Sequence, residues 1–85
     1  MTIKPDYNAP RPIAYINKVI RRYHNLPVEL VRWNEGYHTL VYDTPGVYRE
    51  HSIMVPYTNA LPLGKWVIEA IDFAERVRAL FGEEV

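Results

Sequence analysis

Two histidines, His38 and His51, and two arginines, Arg32 and Arg49, stand in the middle of the chain with Tyr42 among them. Paired imidazoles can act as general acid and general base near neutral pH, and guanidinium groups steady a phosphate. That is the inventory of a metal-independent ribonuclease. Other chemistries fail on inventory. Ser52 is the sole serine, and His51 beside it points to the opposite face of an extended strand, so a serine nucleophile lacks its base. His24, His38 and His51, with Asp43 or Glu50, are the only histidine-centred donors, and no H-E-x-x-H pair occurs, so no metal is expected. Leu63-Gly64-Lys65-Trp66 places Gly-Lys before a helix. The upstream glycine of a phosphate loop is missing, and Trp66 stands where a hydroxyl would hold magnesium. No cofactor and no catalytic residue is assigned. The absence of cysteine excludes disulfides and thiolate chemistry.

The elements that must position these residues read in the order α-β-β-β-α. Ile13, Ile16, Val19, Ile20 and Tyr23 recur at three- and four-residue steps, which predicts a helix over Pro12–His24. Pro12 suits its first position, and Asn25 and Pro27 end it. Lys18, Arg21 and Arg22 fall on its polar side, where a basic helix face grips phosphates or is simply solvated. Three strands follow, Val28–Trp33, Tyr37–Asp43 and Val47–Val55, rich in Val, Tyr, Ile and Thr. Asn34-Glu35-Gly36 joins the first two as a bulged hairpin, and Thr44-Pro45-Gly46-Val47 reads as a type II turn. A second helix over Leu63–Phe81 carries the stripe Trp66, Ala70, Phe73, Val77 and Leu80, and Gly82 stops it. The expectation is one small α+β domain spanning 1–85. It is a three-stranded antiparallel meander with both helices on one face, preceded by an extended or poorly ordered arm over 1–11.

Strand alternation sorts the side chains into two sheet faces. With Trp33 opposite Tyr37 and Thr44 opposite Val47, one face carries Val28, Leu30, Arg32, His38, Leu40, Tyr42, Arg49, His51 and Ile53. The other carries Glu29, Val31, Trp33, Tyr37, Thr39, Val41, Tyr48, Glu50, Ser52 and Met54. Each helix has one apolar stripe, so the pair covers one face and leaves the other in water. An open first face would present Arg32, His38, Tyr42, Arg49 and His51, with Arg21 and Arg22 nearby, to nucleic acid. An open second face would present Trp33, Tyr37, Tyr48 and Met54 to a protein.

The run Gly36-Tyr37-His38-Thr39-Leu40-Val41-Tyr42 is similar to a central strand of RelE-type messenger-RNA-cleaving toxins. That likeness covers seven residues of 85, and the formal net charge of zero departs from the strongly basic character of those toxins. The first fifty residues are mildly basic and the remainder mildly acidic, far from the charge of a nucleic-acid-binding domain. Residues 1–12 are polar, without the apolar stretch of a signal peptide. No apolar run approaches the roughly 18–20 residues of a membrane span, so a cytoplasmic protein without membrane contact is expected.

Seven Tyr, two Trp and two Phe exceed what so small a core needs. The leading expectation is therefore a non-enzymatic protein-binding module that docks onto a larger partner and blocks it. Small chains without catalytic motifs are frequent among phage and mobile-element accessory proteins. Some of these, anti-CRISPR proteins among them, inhibit host enzymes or defence complexes, and the expectation extends to that class. The alternatives are a nucleic-acid-binding protein or ribonuclease that uses the basic His/Arg face, and a structural protein that homodimerises through its aromatic face.

Overall fold

The first helix begins where the sequence places it and then changes its winding. Pro12 is the N-cap rather than the first helical residue; its backbone is extended (φ −68°, ψ 159°). Its carbonyl accepts from Tyr15 N–H at 3.0 Å and Ile16 N–H at 3.1 Å. α1 spans Ile13–Lys18 and continues as a π-helical segment over Val19–Tyr23. Ile16, Val19 and Ile20 are buried as the stripe requires, whereas Tyr23 is exposed. The wider π turn rotates Tyr23 out of the stripe, and its ring meets His24 edge-on at 5.1 Å. Asn25 ends the segment with φ +53°, the left-handed conformation that Asn tolerates best after Gly. The computed structural model describes residues 5–33 and 36–80. The expected turn residues Asn34 and Glu35, and Phe81 and Gly82 at the end of the second helix, lie outside them.

β1 (Val28–Arg32), β2 (His38–Thr44) and β3 (Val47–Ile53) form one antiparallel sheet in the order β1-β2-β3. The register pairs Val28 with Tyr42 and Arg32 with His38 on one side of β2. On the other side it pairs Tyr42 with Arg49 and Thr44 with Val47. Trp33 N–H donates to Tyr37 C=O at 3.0 Å, closing the first hairpin as the sequence predicts. Gly36 (φ +85°) and Gly46 (φ +87°) supply the left-handed residue each turn needs, and the second loop holds to two residues. Thr58–Ala60 forms a short 3₁₀ turn that the sequence pattern does not reveal. α2 spans Leu63–Leu80. Among the described residues no helix is long and apolar enough to cross a membrane.

Both helices pack on the face that bears Val28, Leu30, His38, Leu40 and Tyr42. The core joins these to Ile16, Val19 and Ile20 and, from α2, to Leu63, Trp66, Val67, Ala70, Phe73, Ala74 and Val77. Leu80, expected in the α2 stripe, lies beyond the sheet and is exposed. Two sets of polar contacts fix the helices, one to the sheet and one to the N-terminal arm. Asn17 of α1 turns onto the outer edge of β1. Its side-chain amide donates to Leu30 C=O at 3.0 Å, and its carbonyl oxygen accepts from Leu30 N–H at 2.6 Å. A side chain thus occupies a free strand edge where another strand would otherwise pair.

The second contact involves the N-terminal arm, which is anchored from its first described residues. Its carbonyls cap α2: Leu63 N–H donates to Ala9 C=O at 3.0 Å, and Gly64 N–H to Tyr7 C=O at 2.9 Å. These satisfy orphan donors at the start of a helix that has no side-chain cap of Ser, Thr, Asp or Asn. Gly64 permits the approach, because a Cβ there would lie 3.1 Å from Tyr7 O and 3.2 Å from Tyr7 Cβ.

Two substitutions test these contacts. Asn17→Ala removes two hydrogen bonds to a strand edge and is expected to cost about 1–3 kcal/mol in urea unfolding; an unchanged midpoint would mean the edge is satisfied without Asn17. Gly64→Ala sets helix propensity, which favours Ala by up to about 1 kcal/mol, against the Tyr7 backbone. The expected sign is destabilising, and a stabilised variant would show that the arm does not press on α2.

Candidate functional site: the open sheet face

With the helices on the histidine-bearing face, no described element covers the opposite face. Its residues follow from the register. Trp33 and Tyr37 lie side by side at one end and Met54 follows the end of β3. Val31, Thr39 and Ser52 form the next row, then Glu29, Val41 and Glu50, then Asp43 opposite Tyr48. Trp33 is 43 % exposed, Tyr48 54 % and Met54 76 %. Large apolar side chains held that far in water in one row of a sheet face form an exposed apolar patch.

The platform is ordered by its own polar atoms. An indole N–H that leaves water needs an acceptor. Trp33 Nε1 finds one in Thr39 Oγ1 at 2.8 Å, which lays the indole across the sheet and buries Thr39 beneath it. Thr39 Oγ1 lies 3.4 Å from Ser52 Oγ, extending the link from β1 to β3. Tyr37 stacks on Trp33 with ring centroids 6.3 Å apart and planes 26° apart. At the other end, Tyr48 donates its hydroxyl to Glu50 Oε2 at 2.7 Å. That hydrogen bond to the carboxylate, with lesser contributions from desolvation and the charges of Glu50 and Asp43, holds the Tyr48 phenol above its ordinary pKa of 10.0.

The charge on this face has one sign. Its acidic positions are Glu29, Asp43 and Glu50, and no Lys or Arg occupies a strand position on it. Arg21 reaches from the π-helical segment to Glu29, 3.5 Å away, around the β1 edge.

The basic constellation expected on an alternative nucleic-acid face is not brought together on one surface. His38 is fully buried: its Nδ1 lies 2.8 Å from Val55 C=O, to which it donates, and its ring packs on Trp66 at 5.3 Å. Tyr42 is also in the core, edge-on to Phe73. His51 stacks on Phe73 at 5.7 Å, with Nε2 3.7 Å from Glu69. Arg49 lies at the surface, where its guanidinium donates to Tyr48 C=O at 3.0 Å. Arg32 is exposed at the end of β1, and Arg21 and Arg22 are exposed on the first helical segment. The physical reason is α2, whose apolar stripe needs the sheet face that carries the imidazoles. No group of three or more His, Asp or Glu among the described residues is arranged to hold a metal ion.

Sequence reasoning names Trp33, Tyr37, Tyr48 and Met54 but misses Thr39 as the residue that seats Trp33. It also misses the carboxylates as the charge of the face. The signal for Thr39 was present: an exposed strand Trp seeks a hydroxyl on a neighbouring strand. Compared with known families, curated proteins and solved structures, the chain matches none.

Tyr48 gives the site a spectroscopic test. In a titration followed at 295 nm, the phenols of Tyr48 and of Tyr7, the latter raised by desolvation, are expected to ionise above the ordinary tyrosine range, and the Tyr48 component alone to drop back in Glu50→Gln. A raised folded-state pKa means that its stabilisation is present below pH about 10 and is lost as pH rises through the folded value. Equal titration curves for wild type and Glu50→Gln would contradict the Tyr48–Glu50 bond.

Proposed function

We propose that the protein is a non-enzymatic binding module that docks the open face of its sheet onto a larger protein and blocks the surface it covers. The observation that supports this most is which face is open. Trp33, Tyr48 and Met54 remain in water with Tyr37 half-buried against Trp33, while His38 and Tyr42 lie in the core. The partner that suits the face presents an apolar anchor for the Trp33–Tyr37 end and Lys or Arg side chains for Glu29, Asp43 and Glu50. Nucleic acid suits it poorly, because phosphates would meet carboxylates. A second copy of the same face brings no cation to those carboxylates either.

The test is capture from the native host with wild-type and variant baits, combined with cross-linking from position 52 in the middle of the face. A stoichiometric protein is expected that cross-links there and is lost with Trp33→Ala, a truncation of the kind that costs roughly 2 kcal/mol or more at an interface hot spot. The same protein is expected to be lost with Glu50→Lys and retained with Arg22→Ala. A dimer in light scattering that dissociates on Trp33→Ala, with no other protein cross-linked, would replace this reading with self-association. Salt-sensitive nucleic-acid binding abolished by Arg21→Ala would replace it with the nucleic-acid reading.

A further inference from the structure

A second feature lies away from the open face. Arg11 and Arg32 line one groove of about 380 Å³ with Tyr57, Thr58 and Asn59, and among the described residues none of its lining is acidic. Neither guanidinium forms an ion pair with a described carboxylate. Arg11 Nε is buried and finds no acceptor among the described residues. Elsewhere in the molecule a cation and an acid meet, as at Arg21–Glu29. Two like charges directed to one concavity without a counter-charge repel each other, and a bound anion removes that repulsion.

The groove is built from fixed walls. Pro10 and Pro12 flank Arg11 and restrict the backbone on both sides. The guanidinium carbon of Arg11 lies 5.0 Å from the centroid of the Tyr15 ring, a cation–π contact that orients the fork. The arm is tied to α2 through Ala9 C=O and Leu63 N–H. On the opposite wall, the fully buried Trp66 donates from Nε1 to Thr58 C=O at 3.0 Å, which fastens the 3₁₀ turn to the core. Arg32 is the last residue of β1. Groups held this way lose little freedom on binding.

We propose that this groove is a binding site for a phosphomonoester. Two guanidinium forks match the two charges and planar oxygen pairs of a phosphoryl dianion. The Tyr57 and Thr58 hydroxyls and the Asn59 amide add neutral donors. A volume of about 380 Å³ exceeds what inorganic phosphate fills, which leaves room for a small organic substituent beside the exposed Tyr57 ring. The groove shares no lining residue with the proposed docking face and does not depend on what binds there.

The test is a titration of the full chain with phenyl phosphate at constant ionic strength, read by NMR at the Arg11 Nε–H and the Thr58 and Asn59 amides. Inorganic phosphate, acetate and the dinucleotide TpT serve as comparison ligands. Saturable shifts are expected with phenyl phosphate and more weakly with inorganic phosphate. Arg32→Ala and Arg11→Ala are each expected to weaken binding roughly ten- to a hundredfold, and Arg22→Ala to leave it unchanged. If Arg11→Ala fails to fold, Arg32→Ala decides, since that side chain is exposed and no core contact depends on it. Shifts that stay linear with ligand, or that survive Arg32→Ala, would overturn the site. Binding of TpT as tight as that of phenyl phosphate would overturn the monoester assignment.

Discussion

The fold turns on Trp66. It is fully buried on α2, packs on the ring of His38 from β2 and donates its indole N–H to the carbonyl of Thr58. One side chain therefore joins the second helix, the central strand and the loop that connects β3 to α2. Burying an indole of this size contributes several kcal/mol only if its N–H is satisfied, and Thr58 satisfies it. Because Trp66 seats on His38, α2 must lie on the histidine-bearing face. Every statement about which side chains meet water follows from that choice.

Burial of His38 shows the same preference at a residue level. The Val55 carbonyl takes Nδ1, while Nε2 has no partner among the described residues. A fully aliphatic side chain would avoid that cost. What the imidazole adds is a bond from β2 to the chain just past β3, which bends it away from the sheet toward the 3₁₀ turn. Val55 N–H donating to Ile53 C=O at 2.9 Å completes that bend. The position of Thr58 under Trp66 depends on this path, so His38 and Trp66 act on one loop from two sides.

Much of this was legible in the sequence because the periodic signals are strong. The α-β-β-β-α order, the pairing of Trp33 with Tyr37 and of Thr44 with Val47, and the membership of the two sheet faces all follow from alternation and turn residues. Which face is open was not legible. Both faces mix polar and apolar residues, and only the fit of a helix stripe decides between them. Three further features were hidden for a different reason: they join segments far apart in sequence through backbone atoms or single polar side chains. Asn17 on Leu30, Tyr7 and Ala9 on the start of α2, and Arg11 beside Arg32 leave no local pattern. The π winding of Val19–Tyr23 was hidden because apolar spacing at steps of three and four does not separate it from an α-helix.

The separation of core from surface explains how so small a domain can carry an exposed aromatic face without losing its fold. Each strand residue serves one side only. The open face holds its aromatic groups by contacts within the face: Trp33 on Thr39, Tyr37 on Trp33, Tyr48 on Glu50. None of those bonds reaches the helices. The core in turn draws its stability from Trp66, Phe73, Leu30 and Leu40, none of which lies on the open face. Among the described residues Thr39 is the one point where core and open face touch, since it is buried yet lies on the open side. The indole of Trp33 covers Thr39 and ties the end of β1 to β2 on the open side. The aromatic platform is thus shaped by contacts within the chain itself, and on the proposed reading a partner need not supply the free energy to order it.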